Sequence, residues 1–285
     1  MRSVLAFPLV RIVLIAIVFA IPLTIVVLIP RGHHSIWIAV AIAWFLAAAI
    51  AFAIALVERL TTGRGLSQVG FAPADAVRDL LLGLIAGAAL FSIVVLELAL
   101  GGHYRVSAVN ITADLAVAVL LLLPGAALEE MLFRGVLFRL IEEWAGSWVG
   151  IIVSAVLFGA AHAANPGATW VSTIAIALEA GGLLAAAYIV TRTLWFPIGL
   201  HFGWNFFEGP VYGTQVSGGH LSGSALVGHV SGPAWLTGGT FGPEAGVPAI
   251  VTCVIAAAAL LAYASSRGEI RPMRKAAKSA YGEPA

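Results

Sequence analysis

Long apolar runs, each near the length a helix needs to cross a bilayer, constrain this chain before any motif does. A spanning helix takes about 20 apolar residues. Eight stretches meet that rule, roughly residues 8–29, 35–57, 80–100, 113–134, 148–164, 169–191, 193–207 and 246–266. Backbone in hydrocarbon must satisfy its own hydrogen bonds, so the expected fold is all-α, a polytopic transmembrane bundle of about eight helices. Composition agrees: 61% of the 285 residues are hydrophobic and 10% charged, where a soluble domain carries about 25% charged residues. The mean hydropathy is +1.01. The first run follows Arg2 and Arg11, is longer than a signal-peptide core and lacks a small-residue cleavage signature, so it reads as an uncleaved span. Cys253, the only cysteine, excludes an internal disulfide framework and a cysteine-based zinc cluster, and reads as an inert core residue.

Basic residues in the connections set the expected orientation. With the N-terminus inside, the cytoplasmic segments hold Arg2, Arg59, Arg64, Arg78, Arg134, Arg139, Arg192, Arg267, Arg271, Arg274, Lys275 and Lys278. The other side holds only Arg31 and Arg105, and Arg11 fits either. That bias predicts an integral membrane protein of the plasma membrane with both termini cytoplasmic. Trp37, Trp144, Trp148, Trp170 and Trp195 fall near span ends, as an interfacial belt requires. The chain divides into spans one to three (1–112), a core of spans four to seven (113–207), a Gly-rich extracytoplasmic loop (208–245) and a last span with a basic cytoplasmic tail (246–285). The loop's composition favours turns over a helix, and a connection that long is usually functional or disordered. The tail is expected to lie on the inner membrane surface as a positive-inside anchor.

Few ionisable groups lie within the spans, and each is expensive there. Span four ends in Leu128-Glu129-Glu130-Met131-Leu132-Phe133-Arg134-Gly135. On an α-helix, residues four apart share a face and neighbours are about 100° apart. Glu130 can therefore pair with Arg134, while Glu129 points elsewhere and is free to act as a base. His162 ends span five beside an Asn165-Pro166-Gly167 turn, and His201 and Asn205 share a face of the short span seven. Two imidazoles, a free carboxylate and a carboxamide suit holding a water or a metal, and the carboxamide can donate to an oxyanion. Glu97 and Glu179 are further intramembrane carboxylates, read as packing contacts or relay groups. His103, His220, His229 and the His33-His34 pair read as loop surface groups.

The three clusters, Glu129-Glu130 with Arg134, Phe158 with His162, and His201 with Asn205, occur in that order on successive spans. Their pattern resembles the CAAX prenyl endoprotease and bacteriocin-processing family of intramembrane proteases, and the similarity covers roughly residues 113–207. The resemblance implies an endopeptidase within a bundle of about eight helices. In it Glu129 and His162 activate a water for attack on a peptide carbonyl, and His201 and Asn205 stabilise the oxyanion. Glu130, Arg134 and Phe158 support the site. Members are described both as metalloproteases and as metal-independent, glutamate-dependent enzymes, so a divalent ion such as Zn2+ on Glu129, His162 and His201 stays open beside a metal-free route. No His-Glu-x-x-His helix is present, which excludes an ordinary zincin. The partners implied are membrane lipids and a peptide or protein substrate, and no nucleic acid. The prenylated tail cut by eukaryotic members does not carry over with the motifs.

Straight helices would set these groups at different depths. At about 1.5 Å per residue, Glu129 lies about 18–24 Å from the outer face, His162 about 21 Å from the inner face and His201 about 12 Å from it. In a core of about 30 Å they meet only if tilt, or kinks at Pro124 and Pro197, brings them together. Two other readings compete with the protease. One is a non-catalytic scaffold or immunity-type membrane protein that keeps the fold. The other is a proton- or ion-coupled transporter using Glu97, Glu129 and Glu179 as relays.

Overall fold

The computed structural model describes residues 2–28, 35–221 and 223–273. Eight principal helices follow one another: α1 (Pro8–Val27), α2 (Ile36–Thr61), α3 (Ala76–Leu100), α4 (Asp114–Ala145), α5 (Ser147–Ala164), α6 (Trp170–Thr191), α7 (Trp195–Phe206) and α8 (Val247–Ser266). All but α7 are long and apolar enough to cross a membrane. Helix α7 has 12 residues and continues through a wider π-helical turn, Phe207–Val211. Arg31, His33, His34, Arg274, Lys275 and Lys278, used above for orientation or surface roles, lie outside the described residues.

Local chemistry sets the helix ends. Proline at the first or second position opens α1 and α8, where its missing N–H costs nothing. Gly146, at φ 88°, divides α4 from α5, and a Cβ there would fall 2.8 Å from the backbone nitrogen of Met273. The Thr169 hydroxyl caps α6 by accepting from the Ser172 N–H at 3.1 Å. Trp37, Trp144, Trp148 and Trp170 remain exposed on the bundle surface, whereas the Trp195 indole donates to the Ala72 carbonyl at 2.8 Å.

Helices α3 and α7 form the tightest pair. Gly83 and Gly87 on one face Gly199 and Gly203 on the other. A Cβ on any of the four would lie 2.1–2.3 Å from a carbonyl oxygen of the facing helix. Both helices thus carry glycines four apart, the small-residue spacing that lets membrane helices touch along their backbones. The two helices run parallel, because Gly83 meets Phe196 and Gly199 while Gly87, a turn later, meets Leu200 and Trp204.

Two features depart from the sequence reading. The chain is not wholly helical: Tyr104–Val109 (β1) pairs antiparallel with Leu226–Val230 (β2), which stitches the α3–α4 connection to the Gly-rich segment. His103 and His229 support that pair, the first against the Ser231 carbonyl and the second against the Ser107 hydroxyl, each at 2.8 Å. Burial pushes the Tyr104 phenol up to about 12, and it donates to the Tyr212 carbonyl at 2.9 Å.

The second departure concerns Arg134 and Arg139, placed above in a cytoplasmic segment. Both are buried. Helix α4 has 32 residues, about 48 Å at 1.5 Å per residue, so it carries them as ion-paired groups inside the bundle. Arg11 is buried too. Its guanidinium and that of Arg139 each approach Glu58 Oε1 to 2.6 Å, and Arg11 also meets both oxygens of Glu143 at 3.1 Å.

Candidate active site

Helix α4 holds regular α geometry to Glu130, then widens into a π-helical stretch over Met131–Phe138. Such wide turns are rare and gather at functional sites. Glu130 is fully buried, and its Oε1 accepts from Arg134 Nη1 at 2.8 Å and from His201 Nδ1 at 2.9 Å. Arg134, also fully buried, donates through Nη2 to the carbonyls of Ala180 (2.8 Å) and Gly181 (3.3 Å) on α6. Its guanidinium carbon lies 4.6 Å from the centre of the Phe158 ring. Glu130 and Arg134 therefore tie α4, α5, α6 and α7 together at one point.

Glu129 is turned away from that pair. Its Oε2 lies 3.8 Å from His162 Nε2 and 4.0 Å from His201 Nε2, buried and without a hydrogen-bond partner. Each imidazole is oriented from behind. His162 Nδ1 meets the Phe158 carbonyl at 2.8 Å, so that nitrogen carries the proton and Nε2 presents a lone pair. His201 Nδ1 meets the Glu130 carboxylate. The His162 ring lies 4.7 Å from the ring of Phe158. His162, His201 and Asn205 line one small cavity among α5, α6 and α7, with about 30 Å3 of room for water-sized molecules.

The structure thus brings Glu129, His162 and His201 into one cluster and sets Asn205 with the two imidazoles on the cavity wall. The depth mismatch expected from straight helices does not arise. Pro197 is the third residue of α7, where it breaks no hydrogen bond. Helix α4 exceeds the bilayer in length, so its first residue does not mark the membrane surface. Glu97 stays apart, exposed on α3.

Two further carboxylates escaped the motif reading. Glu208 lies on the π turn after α7, and Glu244 in the short Pro243–Ala245 turn before α8. With Glu179, on a third π turn (Ala177–Gly181), they form a buried acidic group behind the cavity. Burial pushes Glu244 above the ordinary carboxylate range. Glu208 was legible in principle, three residues beyond Asn205. Glu244, in a Gly-Pro turn, carried no signal.

A metal on Glu129, His162 and His201 is tested by spacing. Donors about 2.0–2.1 Å from a tetrahedral Zn2+ stand about 3.4 Å apart. Here the carboxylate oxygen is 3.8 and 4.0 Å from the imidazole nitrogens. No trio of His, Cys, Asp and Glu among the described residues is arranged to hold a metal ion. The donor set fits a metal in kind but not in geometry.

These features define a polytopic helical membrane protein with a Glu-His-His-Asn cluster inside its bundle. Residues 111–207 match the family model of Type II CAAX prenyl endopeptidase Rce1-like proteins. That segment is about one third of the chain and carries all three motifs. The match agrees with the resemblance drawn from them, and at the level of the family it supports a CAAX-type intramembrane protease. No curated protein and no solved structure matches the chain.

Proposed function

We propose that this protein is an intramembrane endopeptidase in which Glu129 activates water for peptide hydrolysis. The observation that carries the reading is the convergence of Glu129 Oε2 on both imidazole Nε2 atoms at 3.8 and 4.0 Å. Two hydrogen bonds of about 2.8 Å meeting at one oxygen at about 90° span about 4 Å. The gap suits a water in contact with all three groups.

In that arrangement the His162 lone pair and Glu129 accept the two protons of the water and aim its oxygen. Glu129 takes one proton as the oxygen attacks the substrate carbonyl carbon. Charge develops on the carbonyl oxygen, where the Asn205 amide and the Nε2–H of an imidazolium at His201 donate. Glu129 then passes its proton to the leaving nitrogen as the C–N bond breaks. Glu130 acts through His201, which it holds by Nδ1, and Arg134 fixes Glu130. The substrate is a peptide segment presented from lipid, and the enzyme lies in the plasma membrane with both termini inside, as the basic residues favour.

The test is cleavage of a peptide library by purified protein in lipid nanodiscs, read by mass spectrometry. Glu129→Gln is expected to lower the rate about 10²–10⁴-fold while the unfolding temperature stays that of the wild type. A Gln variant that cuts at the wild-type rate sinks the mechanism. Metal analysis of the same sample, with and without a chelator, addresses the metal: retained activity at metal-free occupancy supports water activation by Glu129 alone. A transporter relay draws no support from Glu97, which is exposed on the surface of α3.

A further inference from the structure

A second cavity, with about 370 Å3 of room for water-sized molecules, opens at the end of the bundle where α2, α4, α6 and α8 finish. It is far larger than the one beside the histidines and shares no residue with it. Its walls carry four guanidinium groups, Arg64, Arg139, Arg192 and Arg271, and two carboxylates, Glu142 and Glu143. They come from four separate stretches of chain, and no aliphatic side chain lines the cavity among the described residues. The mechanism above uses none of them.

The acceptors in this cavity are taken. Glu142 Oε1 accepts from the Ser147 hydroxyl and Oε2 from Arg192, with Arg271 at 3.3 Å. Both oxygens of Glu143 accept from Arg11, and its Oε2 also from Arg64 at 3.2 Å. The donors are not all taken. Arg139, 8% exposed, gives Nε to the Gly135 carbonyl and Nη2 to Glu58, and its Nη1 is left accessible and without a partner. Tyr188, 4% exposed, also lines the cavity, and its accessible hydroxyl has no partner among the described residues. Counting the neighbours that pair with these walls, five guanidinium groups (Arg11 included) meet four carboxylates, Glu58, Glu142, Glu143 and Glu269. Helix C-termini favour nearby cations, which accounts for arginines at this end but not for two buried donors left open. Water can meet those donors, but it leaves the charge unbalanced.

We infer that this cavity is a binding site for a phosphate group, carried by the headgroup of an anionic lipid or free as inorganic phosphate. A guanidinium fork matches phosphate oxygens in geometry and charge. A tetrahedral anion turns acceptors in every direction, as donors converging from four stretches of chain require. The place suits it as well. Four spans end around the cavity, so it lies where hydrocarbon gives way to headgroups, and basic pockets between spanning helices hold lipid phosphates at that depth.

The test uses full-length protein in a maltoside detergent, which contains no phosphate, and follows thermal unfolding. Four additions are titrated: phosphatidylglycerol, a diacylglycerol with the same chains, sodium phosphate, and sodium chloride at matched ionic strength. Phosphatidylglycerol is expected to raise the unfolding temperature of the wild type to a plateau, and diacylglycerol is not. In Arg64→Gln/Arg271→Gln, which alters the two most exposed arginines of the walls, the midpoint of that response should move at least about tenfold to higher lipid. Tyr188→Phe, which removes a single donor, should move it less. A rise with sodium phosphate beyond the chloride control supports free phosphate as a sufficient ligand, and a response to phosphatidylglycerol without one supports the lipid headgroup. Equal responses to the two lipids, together with equal responses to the two salts, overturn the site. No peptide is cut in this experiment, so its outcome is independent of the endopeptidase reading, and the wild-type comparisons stand even if a variant does not fold.

Discussion

Two groups of buried charge in this bundle are built in opposite ways. At the end where α2 and α4 finish, Glu58, Glu142 and Glu143 meet Arg11, Arg64, Arg139, Arg192 and Arg271. Glu58 Oε1 accepts from two guanidinium groups and its Oε2 from the Thr62 hydroxyl. Glu142 is shared between the Ser147 hydroxyl, Arg192 and Arg271. Every carboxylate oxygen there has a partner. In the middle of the bundle, Glu129, Glu130, Glu179, Glu208 and Glu244 all leave oxygens unpaired. A satisfied network can hold helices together at little net cost, whereas buried acids left unpaired weaken a fold. The first group therefore reads as scaffold and the second as chemistry.

Breaking the scaffold should give the largest loss of stability. Glu58→Ala leaves Arg11 and Arg139 buried without their shared acceptor, and about 3–5 kcal/mol is expected. Thermal unfolding in detergent checks it, and a shift too small to measure removes the contrast between the two networks. Next in size is a change in the site that spares stability: Asn205→Ala is expected to cost about 2.7–4 kcal/mol in kcat with an unaltered unfolding temperature. A rise in KM alone would assign Asn205 to substrate binding. Within the central cluster, Glu130→Gln or Arg134→Leu should reduce the yield of folded protein in membranes more than Glu129→Gln does, because Arg134 also holds the α6 carbonyls. Equal yields for the three would dissolve the division of labour between the neighbouring carboxylates. The smallest effect belongs to the strand pair, where Tyr104→Phe removes the bond to the Tyr212 carbonyl and should cost about 0.5–1.5 kcal/mol, read by denaturant unfolding.

Much of this was legible in the chain. Apolar run length gave seven long helices and a shortened eighth, and the four-residue spacing of Glu130 and Arg134 foretold their contact. Glu129 was separable from Glu130 by helical phase alone. Arg11 could not be placed, since its partners Glu58 and Glu143 are 47 and 132 residues away. Depth arithmetic misled because it tied the bilayer surface to the first residue of a helix longer than the bilayer. The strands were missed because both are short, and β2 has Gly228 at its centre. The glycine pairs of α3 and α7 stood in plain view at i and i+4, and only their mutual facing required three dimensions.

That glycine contact has a consequence for where the reaction happens. Interlocked backbones cannot slide past one another as interdigitated side chains can, so His201 and Asn205 are indexed to α3 rather than to the lipid around them. When a thinner or thicker bilayer presses on the protein, longer helices with side-chain interfaces such as α1 and α2 can tilt to absorb the mismatch. The α3–α7 pair acts as a fixed gauge, holding the two groups at one height while the membrane around them changes.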